Sequence, residues 1–296
     1  MTKSGNYKRI GFGLLILIVL AVLYTSWCYF QKGNDNEVNL YHPPEIYPSD
    51  SSVLYDHPIQ VVVHRVANYM APENTYVAAA ECIRLGVDYV EIDVRISKDG
   101  IHYVIHDKTL DRTTNGEGPV NEKDSNYIDQ LDAGSWFDEK YISEPVPRLK
   151  EYLKWIKGKA KVYLDIKSVD LPVVVEMIRM LDMEDEVFFW FRDDNLSREF
   201  NQLAPDLTLK LAAWSLEELK RAITEFDADI IECGLELLTP EMISLCRDHK
   251  VRIMTKGGDN TPEYFLKVMD SKPELVNLDR PYIYVQTLYD SLNKLN

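Results

Sequence analysis

Two histidines and two acidic residues between positions 59 and 107 have the types and spacing needed for metal and proton chemistry. His64 and His106 each end an apolar run, and Glu91 and Asp93 stand two residues apart between them. Because alternate side chains of a strand share a face, both carboxylates are expected to point the same way. Burying such a pair is costly unless a cation or hydrogen bonds satisfy it, and Mg²⁺ and Ca²⁺ prefer oxygen ligands. The stretch therefore indicates a divalent-metal site beside two titratable imidazoles.

A turn predicted at residues 97–100 brings these groups together. The turn contains an Asp-Gly pair, a strong signal for a β-hairpin. Folding residues 101–106 back on residues 91–96 places His106 beside the two acids. One hairpin then supplies an imidazole and two carboxylates to the same spot.

Five longer motifs carry a resemblance to a known family. The motifs are HRVANYMAPENT, EIDVRISKDG, VIHDKTLDRTTNGEGPV, VPRLKEYL and YLDIK. In order and spacing they resemble the glycerophosphodiester phosphodiesterase family, strongly over residues 59–168 and weakly to residues 276–281. The resemblance implies a barrel fold and hydrolysis of glycerophosphodiesters to glycerol phosphate and an alcohol. The chain departs from the family at Val66, where glycine is usual, at Asp165, where glutamate is usual, and over residues 254–257.

The first 58 residues are predicted to be a membrane anchor and a linker. Residues 11–30 form an apolar, uncharged run long enough to cross a bilayer, and three basic residues precede it. This charge bias predicts a single-pass protein with a cytoplasmic N-terminal tip in residues 1–30 and an extracytoplasmic remainder. A cleaved signal peptide is the alternative. Residues 31–58 are polar and proline-rich, typical of a linker, and residues 59–296 fit one barrel-sized domain.

Charge limits the possible partners. Residues 1–30 carry three of the 33 basic residues and none of the 48 acidic ones, so the remainder has a formal charge of −18. Binding to a phosphate backbone depends on clustered Lys and Arg, so this charge disfavours nucleic acid and any broad anionic membrane patch as partners. An anionic small-molecule or lipid-derived substrate would be held by a metal and a few placed cations.

Apolar runs and helical stretches alternate from residue 59 onward. Eight strands are predicted at 59–64, 88–95, 161–166, 186–191, 207–213, 229–233, 251–255 and 275–278. Eight helices are predicted at 74–85, 148–157, 171–182, 194–203, 216–225, 240–249, 262–270 and 281–293. This alternation predicts an α/β fold, a (β/α)₈ TIM-type barrel, with a doubly wound open sheet as the alternative. Residues 107–147 do not fit the alternation and are interpreted as an insertion over the barrel mouth.

The barrel gathers the candidate residues at one end. Active sites of this fold lie at the C-terminal ends of the strands. Glu91 and Asp93 lie late in the second strand and Asp165 in the third, so these three acids are the predicted ligands of Ca²⁺ or Mg²⁺. His64 and His106 are predicted to act as an acid/base pair, with the two roles unassigned.

Two cations and one further acid complete the predicted site. Arg65 and Lys167 are expected to bind the phosphodiester. Glu73 is interpreted as a cap of the following helix, with orientation of Arg65 as the alternative, and the resemblance implies a supporting role at the site. Because valine is poorly suited to positive φ, Val66 is predicted to be extended, with its side chain narrowing the pocket beside Arg65. The aromatic residues 188–191 are interpreted as barrel packing.

Two other functions stay open at this point. The first is a related phosphodiesterase that acts on a phospholipid, a lysophospholipid or a cell-surface glycerophosphate polymer. The second is a catalytically weak, membrane-tethered binding protein, suggested by Val66 and by residues 254–257. Hydrolysis of a panel of diesters with and without a chelator discriminates between the three.

Overall fold

The computed structural model describes residue 54, residues 57–66 and residues 69–293. The anchor predicted in residues 1–30 and most of the linker lie outside these residues. Across the described ranges, no helix combines the length and apolar character needed to cross a membrane.

Eight parallel strands close into a barrel. They are β1 (Gln60–Val63), β2 (Tyr89–Ile96), β4 (Lys161–Ile166), β5 (Val187–Phe191), β6 (Thr208–Ala212), β7 (Ile230–Cys233), β8 (Arg252–Lys256) and β9 (Leu275–Leu278). Strand β1 pairs with β2 on one side and with β9 on the other, which closes the sheet. The barrel prediction is confirmed, and the open-sheet alternative is wrong.

Several of the helices begin where the sequence supplies a capping side chain. They are α1 (Tyr76–Leu85), α2 (Ser125–Ile128), α3 (Leu149–Ile156), α4 (Leu171–Met180), α5 (Asp194–Leu203), α6 (Leu216–Phe226), α7 (Pro240–Asp248), α8 (Pro262–Ser271) and α9 (Pro281–Asn293). The side chains of Ser215, Thr239 and Thr261 each accept a hydrogen bond from a backbone amide of the first helical turn. A proline follows each of the two threonines, at a position where no amide donor is needed.

The barrel interior is apolar near the amino-terminal ends of the strands and contains charged side chains nearer their carboxyl-terminal ends. The apolar cluster is formed by Val62, Tyr89, Tyr163, Phe188, Ile230, Met254 and Leu275. Above it, the ammonium of Lys210 pairs with the carboxylate of Glu232, and both side chains are buried. Of the aromatic residues at 188–191, the three phenylalanines are buried, whereas Trp190 is partly exposed.

The predicted hairpin and insertion are both present. Strand β3 (His102–Val104) runs antiparallel to β2, with Val94 opposite Val104. The following segment folds around its own apolar cluster. It contacts the C-terminal end of the barrel through Tyr141, whose hydroxyl donates to the Met70 carbonyl at 3.3 Å. The insertion therefore packs against the loop that follows β1.

Candidate active site

A left-handed turn after β1 brings the backbone of Arg65 to the acidic residues. Arg65 and Val66 have φ values of 49° and 54°. The Arg65 amide donates a hydrogen bond to Oε2 of Glu91, and the Arg65 carbonyl accepts one from the Asn74 amide at 3.1 Å. The turn therefore joins the end of β1 to a carboxylate of β2.

The prediction for Val66 is wrong. Its backbone is left-handed rather than extended, and its side chain is fully buried in the main hydrophobic core rather than in a pocket. The left-handed conformation costs a β-branched residue about 1–2 kcal/mol. Burial of the valine side chain contributes about 1.5–3 kcal/mol and offsets that cost. The expected narrowing of the pocket therefore has no basis in this geometry.

Three carboxylates converge at the C-terminal ends of β2 and β4. Glu91, Asp93 and Asp165 each present an oxygen within 4.8 Å of the other two, and all three residues are buried. The buried atoms Oε1 of Glu91 and Oδ1 of Asp165 have no hydrogen-bond partner, and Oδ1 of Asp93 faces Lys167 Nζ at 3.1 Å. Buried carboxylate oxygens without partners are energetically costly, so this set fits an oxygen-binding divalent cation.

Electrostatics in this cluster favour a cation. Burial, followed by the negative charge of Asp93, raises the pKa of both Glu91 and Asp165. Lys167 opposes this effect for Asp165, because its ammonium lies 2.6 Å from Asp165 Oδ2. One lysine thus bridges two of the three carboxylates, and the predicted metal ligands and Lys167 are found together.

His64 is oriented by an acid that is distant in the sequence but follows the neighbouring strand β9. Its Nδ1 lies 2.8 Å from Oδ1 of Asp279, which directly follows β9. Because a carboxylate only accepts, Nδ1 carries the proton. Burial lowers the pKa of His64, but the hydrogen bond to Asp279 and the charges of Glu91 and Asp279 outweigh it and raise the pKa to about 9.

His106 has a different environment. Its Nδ1 lies 2.7 Å from Oδ1 of Asp107, and its Nε2 lies 2.8 Å from the guanidinium nitrogen Nη2 of Arg65. Nε2 must accept in this contact, because arginine only donates. Burial lowers the pKa of His106, and the positive charges of Arg65 and Lys167 act in the same direction. The two histidines therefore have pKa values shifted in opposite directions.

Glu73 does not cap the following helix. The N-cap of α1 is Thr75, whose side chain accepts from the Ala78 amide. The Glu73 carboxylate instead binds Arg112 through two contacts of 2.8 and 2.9 Å and lies 3.5 Å from Arg65. The interpretation as a cap is wrong because threonine at the boundary supplies the acceptor for the first turn. The alternative, contact with Arg65, matches the structure.

Several residues at the site were not among the predicted ones. Arg112 also contacts Asp107 at 2.6 Å, so a continuous ring of contacts runs through Arg65, His106, Asp107, Arg112 and Glu73. The position of Asp107 directly after His106 was a usable signal. Nothing local in the sequence pairs Arg112 with Glu73 across 39 residues or Asp279 with His64 across 215 residues.

A buried ion pair lies beneath the site. Lys210 Nζ contacts Glu232 and lies 3.0 Å from the Tyr163 hydroxyl, while Asn277 donates to Glu232 at 3.1 Å. The signal was present in the sequence, since Lys210 and Glu232 are lone charges in apolar strands. A buried charge requires a partner, which each provides to the other.

Comparisons with known proteins identify the family of this chain. The model of the glycerophosphoryl diester phosphodiesterase family matches residues 64–196. A glycerophosphodiester phosphodiesterase of Caldanaerobacter subterraneus is 33% identical over 236 residues, which cover 74% of this chain and 97% of that protein. One from Bacillus subtilis is 37% identical over 130 residues, covering 41% of this chain and 44% of that protein.

Among solved structures, that of a glycerophosphodiester phosphodiesterase from Agrobacterium tumefaciens is similar to this chain. It superposes with a TM-score of 0.72 and 37% identity, covering 77% of this chain and 99% of that one. The chain therefore belongs to the glycerophosphoryl diester phosphodiesterase family.

Proposed function

We propose that this protein hydrolyses glycerophosphodiesters to glycerol phosphate and an alcohol in a reaction that depends on a divalent metal ion. Membership of the family supports the reaction class. The observation that carries the proposal is the convergence of Glu91, Asp93 and Asp165 beside His64 and His106. A metal site flanked by two imidazoles of opposite pKa shift suits phosphodiester hydrolysis.

Glu91, Asp93 and Asp165 would hold the metal, and a set of oxygen ligands suits either Mg²⁺ or Ca²⁺. When bound, such an ion neutralises negative charge on the phosphoryl oxygens as the reaction proceeds. Asp165 is one methylene shorter than the glutamate usual in the family. Its contact with Lys167 holds the carboxylate within 4.8 Å of the other two ligand atoms despite that shorter reach.

Arg65 and Lys167 would bind the phosphodiester. The Arg65 guanidinium contacts His106 through Nη2 and Glu73 through Nη1. A guanidinium can bind two phosphate oxygens at once, whereas the Lys167 ammonium acts as a point charge. Movement of Arg65 toward a phosphate would release Nε2 of His106, which then becomes free to accept a proton.

The two histidines would have distinct roles. His64, with its pKa raised to about 9, is protonated at neutral pH and suits protonation of the leaving oxygen. His106, with its pKa lowered, is neutral and suits removal of a proton from the attacking hydroxyl. Asp279 holds the His64 ring by Nδ1 and leaves its Nε2 for this transfer, whereas Asp107 holds the His106 ring, whose Nε2 becomes available once Arg65 moves to the phosphate.

We also propose that the domain is extracytoplasmic and tethered to the membrane by residues 11–30. The apolar run and the basic residues before it support this placement. A phospholipid, a lysophospholipid or a cell-surface glycerophosphate polymer would be within reach of a domain held there. The same catalytic groups would serve each of these diesters.

The test is hydrolysis of a panel of glycerophosphodiesters by the purified protein with and without EDTA. We expect turnover that the chelator abolishes and that Mg²⁺ or Ca²⁺ restores. His106→Ala should lower turnover about a hundredfold or more, the usual scale for proton-transfer catalysis. His249→Ala, at an exposed histidine after α7, is the matched control and should retain activity. Full turnover in excess chelator would contradict the metal dependence.

A further inference from the structure

We propose that the barrel mouth contains a second anion-binding subsite, formed by Lys256 and Arg192 beside Trp190 and Trp214, which receives a phosphate group on the alcohol portion of the substrate. This inference rests on the proposed function and names its substrate class. The preferred diesters would carry a second phosphate on the alcohol, and diesters of cationic alcohols such as choline would be disfavoured.

Lys256 faces the mouth from the end of β8. It stands two residues after Met254, which belongs to the apolar cluster inside the barrel, so both side chains share the inner face. Its ammonium lies 4.3 Å from the centre of the Trp214 ring, which follows β6. Strand β7 separates these two strands and is followed by Gly234, which has no side chain to block the contact.

The positive charge of Lys256 contributes to lowering the pKa of Glu232 inside the barrel. Burial opposes ionisation of Glu232, but the charge and hydrogen bond of Lys210, followed by the charge of Lys256, hold its pKa below the ordinary value. Among the residues that the structure describes, no carboxylate lies within 4.0 Å of Lys256. The nearby carboxylate of Glu236 lies over Gly234, where an added Cβ would collide with it. Lys256 is therefore a cation at the mouth that Glu236 does not pair.

Trp190 joins this region to the proposed phosphodiester site. Its ring centre lies 5.5 Å from the ammonium of Lys167. Trp190 also lines a cavity of about 210 Å³, together with Trp214, Arg192 and Glu218, whose carboxylate accepts a hydrogen bond from the Trp214 amide. Arg192 has no ion-pair partner in the described part of the chain, whereas Arg221, which also lines the cavity, pairs with Asp194. Trp190 thus connects the proposed phosphodiester site at Lys167 with the cavity lined by Arg192 and by Trp214, the ring that Lys256 contacts.

The arrangement of charge decides which alcohol fits. A quaternary ammonium is usually recognised on an aromatic face. At Trp214 that face is already covered by the Lys256 ammonium, which would repel choline. Arginine and lysine both form strong charge-assisted hydrogen bonds to phosphate. Lys256 also lies in residues 254–257, where the chain departs from the family pattern, so the subsite is a feature of this chain.

The test compares kcat/KM of the full-length protein for three soluble diesters: glycerophosphoglycerol phosphate, glycerophosphoglycerol and glycerophosphocholine. We expect the parent protein to have a higher kcat/KM for glycerophosphoglycerol phosphate than for glycerophosphocholine. Lys256→Met and Arg192→Met should each lower that preference about tenfold while the rate with glycerophosphoglycerol changes less than twofold. Lys154→Met, at an exposed lysine of α3 on the outside of the barrel, is the matched control and should change nothing.

A parallel arm uses a poly(glycerol phosphate) chain, whose end presents the same chemistry. If the variants lose the preference for only one of these two substrates, the soluble diester or the polymer, the subsite is supported. The substrate whose preference is lost is then the source of the phosphate that the subsite binds. A ratio within twofold of the parent in both variants, or a parent that prefers glycerophosphocholine, would overturn the inference.

A measurement of ligand binding tests the subsite independently of catalysis. Glycerol 1,3-bisphosphate carries one phosphate for Arg65 and Lys167 and one for Lys256 and Arg192. Its binding can be followed by tryptophan fluorescence. We expect Lys256→Met to weaken binding about tenfold and Lys154→Met to leave it unchanged. If the parent hydrolyses none of the diesters yet binds in this pattern, the proposed function fails and the subsite stands. Equal binding by both variants contradicts the subsite whatever the activity.

Discussion

Replacing Val66 by alanine and by glycine tests the left-handed turn that holds Arg65 against Glu91. Val66 is fully buried with φ 54°. Val66→Ala removes two methyl groups from the core and should lower the free energy of unfolding by about 1.6 kcal/mol or more. Alanine in the left-handed region still costs about 1–2 kcal/mol, which glycine does not. An alanine-to-glycine change in regular structure costs about 0.5–1 kcal/mol. Glycine also lacks the buried methyl group of alanine, which is worth about 0.8 kcal/mol, so at position 66 the two variants should differ in stability by less than about 1 kcal/mol.

The assay is urea unfolding of both variants, compared with the same pair of changes at Val63. Val63 is equally buried but lies within β1, and it is absent from the left-handed residues. There Val63→Gly should be less stable than Val63→Ala by about 1.3–1.8 kcal/mol, because glycine loses more backbone entropy, lacks the buried methyl group and relieves no left-handed strain. The loss of stability from alanine to glycine should therefore be about 1–2 kcal/mol smaller at Val66 than at Val63. If the alanine-to-glycine loss is as large at Val66 as at Val63, the backbone at Val66 is extended and our account of the turn is wrong.

Three further changes probe the proposed metal ligands, the proposed proton donor and the buried ion pair. Glu91→Gln should weaken binding of Mg²⁺ or Ca²⁺ at least tenfold in calorimetry, because it removes one of three ligand charges. Asp279→Asn should move the alkaline limb of the pH profile of kcat/KM to lower pH by about one unit. The sign follows because His64 must be protonated, activity is lost as pH rises through its pKa of about 9, and Asp279 raises that pKa. Lys210→Met should lower the free energy of unfolding by about 3–5 kcal/mol, because it leaves Glu232 charged and unpaired in the interior.

Each of these changes has an outcome that contradicts its premise. Unchanged ion affinity in Glu91→Gln would remove this residue from the ligand set. An alkaline limb that stays in place in Asp279→Asn would mean that His64 is not the titrating donor. For the ion pair, adding Glu232→Gln to Lys210→Met should recover part of the lost stability. No recovery in the double variant would mean that the loss comes from packing rather than charge.

The sequence was sufficient to predict the barrel because its signals are local and repeated. Alternating apolar runs, helix caps such as Ser215 and the Asp-Gly turn each act within a few residues. The three acids could be placed as well. Period-two spacing puts Glu91 and Asp93 on one face, and parallel pairing puts Asp93 beside Asp165.

The errors and omissions concern groups whose conformation depends on distant residues. The turn at Val66 is specified by Glu91 on another strand and by burial in the core, and residue propensity predicts the opposite conformation. Glu73 stands where an acidic helix cap is plausible, yet Arg112 in the insertion binds it. Such pairings arise only when the barrel closes and the insertion packs, so no local pattern indicates them.

The pairing of β1 with β9 has a consequence for the order in which the protein becomes functional during synthesis. His64 N donates to the Leu278 carbonyl at 3.0 Å, and the imidazole meets Asp279 one residue later. A nascent chain thus makes His64, the proposed proton donor, some 215 residues before the acid that orients it. Hydrolytic competence would arrive with the last strand, so unfinished or C-terminally truncated chains should be inert rather than partly active.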